Sequence, residues 1–353
     1  MKLALLNDSH FGCRNDSPAF IDYQNRFYNE LFFPYLKEHN IKHLVHLGDV
    51  VDRRKFINYN TAHNFQNVFW KRLWDMKIDT HIIIGNHDTY YKNTNEVNAM
   101  QQLITTFDGR FEPWVYTTPK EVVFDGLPIL FVPWICDTTE QMTLDAIENT
   151  KAQVCFGHLE VKGFEMNRNY FVEHGLEKDL FRRFEKVISG HFHKKSDDGQ
   201  IYYLGTQYEI TWNDYNCPKG FHIFDTQTRE LTRIPNPLRM FRKIFYDDHK
   251  EHYIEKDISE YDNTYLKLFV VNKSKDKMFE EFINRLHTEI NLHELVIIDD
   301  EGTSLTAQVR EDLIDQGEDT LTFLGNYVEQ IDTDLDRAKI KEIITREYNE
   351  ANE

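Results

Sequence analysis

Residues 79 to 88 read Asp79-Thr80-His81-Ile82-Ile83-Ile84-Gly85-Asn86-His87-Asp88, an apolar run ending in a glycine and a group of polar side chains. A short apolar run bounded by turn residues reads as a buried strand. Glycine at its end lets the backbone turn sharply and present the next side chains. The same pattern occurs four more times: Leu3-Ala4-Leu5-Leu6 before Asp8-Ser9-His10, His43 to Leu47 before Gly48-Asp49, Val154-Cys155-Phe156 before Gly157-His158, and Val187-Ile188 before Ser189-Gly190-His191-Phe192-His193. Strands that deliver polar groups at their carboxyl ends predict an open α/β sheet with its site along that edge.

Working outward, strands over 2–7, 42–47 and 79–84 alternate with helical patterns over about 18–38 and 59–75, a βαβαβ order that predicts a mainly parallel sheet. From residue 115 shorter strands are expected near 122, over 127–135, and running into His158, His191, 201–204 and 220–224, with helices near 138–149 and 176–184. That order suits a two-sheet β-sandwich flanked by helices. Ile234-Pro235-Asn236-Pro237 breaks strand and helix alike and marks a boundary. The expected domains are 1–240, a small αβ unit over 241–300, and 301–353. The small unit holds a strand at 265–271, an amphipathic helix carrying Met278, Phe279, Phe282, Leu286 and Ile290, and a strand at 295–298. Residues 299–319 place eight carboxylates against one Arg310 and read as an acidic connector. Two helical patterns close the chain, one with Leu321, Leu324, Tyr327, Val328 and Ile331, the other with Ile340, Ile343, Ile344 and Tyr348.

At 353 residues and 41% hydrophobic content the chain can bury a real core. Its four cysteines are scattered without a CxxC pair, which argues against a disulfide framework or a zinc knuckle and for a reducing cytoplasm. Only four apolar residues lie between Lys2 and Asn7, too few for a signal segment, and no apolar run approaches a membrane span. The net charge of −18 would oppose a nucleic-acid partner if it were uniform. It is not uniform: residues 1–240 carry 27 Lys and Arg against 31 Asp and Glu, and the remainder 14 against 28. Basic groups come directly after the polar motifs at Arg53-Arg54-Lys55, Lys92 and Lys194-Lys195, where an anionic substrate could be met; solvated loop positions explain any one of them equally well.

Divalent ions that activate water take carboxylate, imidazole and amide oxygen ligands and leave positions open. Asp8, His10, Asp49, Asn86, His158, His191 and His193 supply that set. Asp49, with two oxygens, suits a bridge between two ions. His191 and His193, two residues apart, would point to one side if the backbone there is extended. Asp-x-His or Gly-His alone carries little weight, and the specificity lies in all five motifs occurring in order, each after a strand. Tyr90 and Tyr91 come after the His87 motif and could stack on an unpaired base or pack their own loop.

This ordered set resembles the calcineurin-like metallophosphoesterases, and within them the DNA-repair exonuclease subunits of the SbcD type. Gly205-Thr206, Lys219-Gly220-Phe221, Gly157-His158-Leu159-Glu160-Val161-Lys162-Gly163-Phe164 and Gly85 to Asn93 are similar to the recombination nuclease subunits of T-even-like tailed phages. The resemblance covers most of residues 1–245 and implies two manganese ions, which magnesium could replace. Asp8, His10, Asp49 and His193 would bind one, and Asp49, Asn86, His158 and His191 the other. It further implies that His87 assists the leaving oxygen with Asp88 orienting it, and that the chain is a 3′ to 5′ double-strand exonuclease and single-strand endonuclease. DNA, a second copy of the chain and an SbcC-type coiled-coil ATPase are the implied partners, in recombination, repair and replication in the cytoplasm, the host's if the chain is phage-encoded. On this reading the small αβ unit resembles the family's capping domain and the terminal helices its ATPase-docking segment. Where some members have a second active-site histidine, this chain has Asp52, expected to bond loop amides. Two rivals are a phosphoprotein phosphatase, suggested by Gly48-Asp49-Val50-Val51-Asp52-Arg53, and an inactive scaffold; Asp88 in place of Glu and the intact ligand set argue against them.

Overall fold

A computed structural model of the chain describes residues 1–104, 114–167, 170–172 and 175–299, together with Val328, Arg337, Lys339, Ile340, Ile343 and Ile344. The acidic connector and the two closing helical patterns, apart from those six positions, lie outside the described residues. The described chain forms two compact units: Met1–Ile210 with Asn216–Leu238, and Thr211–Tyr215 with the chain from Arg239 onward.

Two six-stranded sheets build the first unit. In one, Lys2–Leu6, His43–His46, Asp79–Ile83 and Trp114–Tyr116 run parallel in that order. Gly220–Asp225 pairs antiparallel to Lys2–Leu6 and carries Leu231–Pro235 at the edge. In the other, Leu127–Val132, Val154–His158, Lys186–Gly190 and Ile201–Tyr203 are parallel, with antiparallel strands at both edges. Strand side chains alternate between faces. One face of each sheet therefore supplies a shared core, with Leu3, Leu5, Val45 and Ile83 meeting Ile129, Phe131, Val154, Phe156 and Ile188. The opposite face of the second sheet buries Leu130, Cys155, Val187 and Ile201 with Ile147, Phe181 and Phe184. This is the expected sandwich.

The expected helix over 18–38 is present but changes pitch, with Pro18–Arg26 and Phe33–Glu38 flanking a π-helical stretch Phe27–Phe32. Pro34 has no amide hydrogen to give the preceding turn, and the backbone there opens to the wider bonding pattern. The helix over 59–75 is interrupted the same way at Phe65–Trp70 without a proline. Both π stretches turn aromatic rings inward, and Phe11 packs among them, 5.6 Å from Tyr28 and 5.2 Å from Phe65 between ring centroids. The residue next to His10 is thereby anchored in an aromatic layer.

The structure corrects three sequence expectations, the first being that Ile234-Pro235 breaks a strand: both residues pair with Gly220-Phe221 at the sheet edge, where a proline is tolerated. The helix predicted over 176–184 is only a 3-10 turn, Lys178–Phe181. Leu176 exchanges backbone bonds with Glu160 and Lys162, which holds the start of that segment extended against a neighbouring loop. A strand not anticipated, Phe241–Asp247, opens the second unit. Arg242 and Lys243 disguise its alternation, in which Ile244 and Tyr246 face the core. It pairs parallel with Tyr265–Asn272, which pairs parallel with Glu294–Ile298. Helix Asp276–Thr288 covers one face through Met278, Phe282 and Leu286.

Candidate metal centre

Four of the polar residues at the strand ends adopt left-handed backbone: φ is 46° at Asp8, 44° at His10, 53° at Asp49 and 86° at His191. Such conformations are costly for residues with a β-carbon and persist only where the surroundings over-determine them. Here they do. The amides of Asp8, His10 and Phe11 donate to the carbonyls of Gly48, Asp49 and Val50 at 2.9–3.1 Å, lacing the first two ligand loops together. Beneath them the buried Ser9 hydroxyl meets His46 Nε2 at 2.7 Å, Gln207 Nε2 at 3.0 Å and Tyr28 Oη at 3.1 Å. The Ser9 carbonyl accepts from Tyr208 at 2.5 Å and Gln24 at 3.1 Å. Burial lowers His46 to about 3, so its imidazole is neutral and can accept the Ser9 proton.

Donor atoms of Asp8, His10 and His193 all lie within 4.8 Å of one another, and so do those of Asp49, His158 and His191. His10 Nε2 and His193 Nε2 face each other at 3.0 Å. Asn86 Oδ1 stands 2.9 Å from His158 Nε2 and 3.1 Å from His191 Nδ1. Asp49 Oδ2 is 3.3 Å from His158 Nε2 and 3.9 Å from His10 Nε2, which puts its carboxylate between the two groups. Loop packing fixes the rings: His158 Nδ1 donates to the Leu47 carbonyl at 2.7 Å, leaving Nε2 for the site. The His193 carbonyl accepts from the buried Lys219, which also bonds Thr206, so the Lys219 and Gly205-Thr206 motifs serve that loop.

Asp8 and Asp49 are both buried, and among the described residues neither pairs with Lys or Arg. Buried carboxylates are ordinarily paired or bound to metal. Burial alone would lower His10, but the hydrogen bond to Asp52 and the charges of Asp49, Asp52 and Asp8 outweigh it and raise it to about 9. His158 likewise overcomes burial, through Asp49 first, and rises to about 9. Asp49 is held well below the usual range against its burial, chiefly by His158 and His87. Burial and the His158 charge push His191 well down, leaving a neutral ring. A site that draws protons onto imidazoles in this way has surplus negative charge, and its carboxylate, imidazole and amide oxygen donors fit two divalent cations.

His87 is half-buried beside the first group, its ring centroid 4.9 Å from that of His10. Its Nδ1 meets the Asp52 carbonyl at 2.6 Å, and its amide donates to Asp49 Oδ1 at 2.8 Å. The expected Asp88–His87 contact is not formed. The Asp88 carboxylate instead accepts the amides of Val50, Val51 and Gly85 at 2.8–3.2 Å, tying the Asp49 loop to the Asn86 loop. Burial first, then the Asp49 charge, raises Asp88 to about 7 despite those amides. Asp52 also departs from expectation: its carboxylate takes no loop amide and lies 3.3 Å from His10 Nδ1.

Of the basic groups, Arg53 is bound to Asp16 and lies 4.6 Å over the Phe56 ring, so it braces its own loop. Arg54 is half-buried, while Lys55 and Lys92 are exposed. Lys194 pairs with Glu165 at 2.5 Å and Lys195 with Asp197 at 3.3 Å. Tyr90 and Tyr91 are exposed, packed edge to face at 4.7 Å. Sequence reasoning missed Trp134, whose ring lies 5.2 Å from His191 and 6.1 Å from His158. Its place at the end of the 127–135 strand run, on the same sheet edge as the ligands, was the available signal.

A parallel-sheet sandwich with two adjoining groups of metal donors at its carboxyl edge defines a two-metal phosphoesterase. The chain belongs to that family: the calcineurin-like phosphoesterase family model matches residues 1–205. It is a metal-dependent phosphodiesterase, and the resemblance to tailed-phage nuclease subunits is borne out at full length. The chain is 32% identical over 356 residues to exonuclease subunit 1 of Enterobacteria phage T4, covering 100% of both proteins. Solved structures with some likeness include an archaeal phosphodiesterase, 16% identical, with a TM-score of 0.33 over 67% of this chain and 100% of that one. A dimetal phosphatase from Danio rerio, 10% identical, has a TM-score of 0.38 over 63% of this chain and 91% of that one. No helix among the described residues is long and apolar enough to cross a membrane.

Proposed function

We propose that this protein is a nuclease subunit that cleaves DNA phosphodiesters as a 3′ to 5′ exonuclease on duplex ends and an endonuclease on single strands. The observation that carries this reading is the pair of adjoining donor groups with the Asp49 carboxylate between them and His87 beside them, in a chain that aligns end to end with an exonuclease subunit. Asp8, His10, Asp49 and His193 hold one manganese or magnesium ion, and Asp49, Asn86, His158 and His191 the other. Bound divalent ions supply Lewis-acid chemistry, activating the attacking water and neutralising phosphoryl oxygens.

The chain's own residues supply the rest. With Nδ1 given to the Asp52 carbonyl, His87 has Nε2 left to hold a proton and pass it to the leaving oxygen, or to bond a phosphoryl oxygen when charged. Lys55, Lys92 and Arg54 lie on the two loops that leave Asp49 and His87, where a phosphate backbone passes. Tyr90 and Tyr91 offer exposed ring faces to an unpaired base. The protein works as a homodimer with an SbcC-type coiled-coil ATPase in recombination, repair and replication, in the cytoplasm of the cell in which it is made. The αβ unit after Pro237 caps the substrate, and residues 301–353 dock the ATPase.

The test compares release of nucleotides from linear duplex DNA with release of phosphate from a phosphopeptide, both with Mn2+. Turnover of the peptide alone would make the protein a phosphatase. Turnover of neither, with ions bound and the ATPase present, would make it a scaffold.

A further inference from the structure

Residue 52 faces two imidazoles at once. Its carboxylate Oδ1 lies 3.3 Å from His10 Nδ1, and its main-chain carbonyl lies 2.6 Å from His87 Nδ1. Its own amide donates to the Phe11 carbonyl at 3.1 Å, and Phe11 and Val51 form a parallel bridge. The segment is therefore fixed to the loop that carries His10. Both rings turn Nδ1 toward residue 52, the His87 ring by a hydrogen bond and the His10 ring at ion-pair distance, and for His10 this leaves Nε2 to the site. For His10 that atom faces His193 at 3.0 Å, inside the first donor group.

We infer that Asp52 is a positioning residue whose carboxylate orients His10 for the ion shared with Asp8 and His193, while its backbone independently orients His87. The inference rests on the two-ion reading. A carboxylate on the far nitrogen of a ligating imidazole fixes its tautomer, holds its ring angle and strengthens it as a donor. The two grips are chemically separable. A substitution removes the carboxylate and leaves the carbonyl, so ion binding is perturbed while the His87 anchor stays.

The experiment titrates ion-free full-length protein with Mn2+ by calorimetry, comparing wild type with Asp52→Ala and Asp52→Asn. Wild type takes up two ions. Asp52→Ala weakens one of them by about 10- to 100-fold and leaves the other unchanged, the range seen when such outer partners of a metal ligand are lost. Asp52→Asn, which keeps an oxygen for Nδ1–H, recovers part of the loss. In nuclease assays on linear duplex, most of the kcat lost in Asp52→Ala returns at saturating Mn2+. If Asp52→Ala does not fold, Asp52→Ser, whose side chain also falls short of His10, takes its place with the same expectation. An Asp52→Ala or Asp52→Ser isotherm that superimposes on wild type overturns the inference, as does a kcat deficit that no Mn2+ concentration repairs. Wild-type protein that binds no Mn2+ is a different result, and it is the two-ion reading that then fails.

Discussion

Gly85 and Asp49 are in contact with no room between them for a β-carbon: one built at Gly85 would overlap both the Asp49 carboxylate and the Asp49 amide. Gly48 is pressed in the same way against the His158 ring and Gly85. Three loops therefore converge on backbone that only glycine provides. Gly85→Ala is expected to lower stability by about 1–3 kcal/mol through overpacking and to displace Asp49 from its place beside His158 and between the two donor groups. Urea denaturation and a Mn2+ titration check this, and normal ion uptake by the variant would contradict it.

Asp88 joins the same loops by accepting three buried amides. Asparagine offers one oxygen where two are used and turns an NH2 group toward an amide donor. Asp88→Asn should cost about 1–3 kcal/mol of stability, the desolvation penalty of an unsatisfied buried donor. If Asp88 acted by orienting His87, the variant would melt like wild type and change only the pH dependence of cleavage.

The ion-free protein holds protons on His10 and His158, both raised to about 9. Ions that take those nitrogens must displace them, so the apparent Mn2+ affinity of each site should rise about tenfold per pH unit from pH 7 to 8. Calorimetry in two buffers of different ionisation enthalpy counts the protons released. The linkage to folding has a defined sign as well. Histidines raised above their unfolded value stabilise the ion-free fold below about pH 6.5, and that contribution is lost as pH climbs toward 9. The melting temperature of stripped protein should therefore fall across that range, and an unchanged one would mean the imidazoles are neutral throughout.

His87 makes no described contact through Nε2 and is not in either donor group. His87→Gln should lower kcat on linear duplex DNA by about 10²- to 10⁴-fold, the usual size of a lost acid or base, with the Mn2+ isotherm intact. Loss of ion uptake in this variant would recast His87 as a ligand.

The five strands that border the site and the candidate donor residues were legible because each of those strands ends in a glycine, or a turn residue, next to a side chain of metal-binding type. Burial pattern and chemistry thus pointed the same way at Asp8, Asp49, Asn86, His158 and His191. What stayed hidden depends on contacts between loops distant in sequence. Nothing local says that Asp88 bonds Val50 and Val51, or that Arg53 is committed to Asp16. The helix expected at 176–184 had the right spacing of Leu176, Leu180 and Phe184, yet tertiary backbone bonds at Leu176 overrode it. The strand Phe241–Asp247 was missed because Lys243, on the face opposite Ile244 and Tyr246, is buried under aromatic rings, 4.5 Å from Tyr215, where an apolar residue would have marked a strand.

Each donor group draws on both layers of the sandwich. Asp8 and His10 come after a strand of one sheet and His193 after a strand of the other; Asp49 comes from the first sheet, His158 and His191 from the second. An ion held by either group is thus a rivet through the two layers at the edge where the apolar core between them ends. Loading the centre is then expected to stiffen that edge as well as to supply its chemistry. Chelation should unlatch that edge, speeding amide exchange along the carboxyl ends of the strands before the core between the sheets is disturbed.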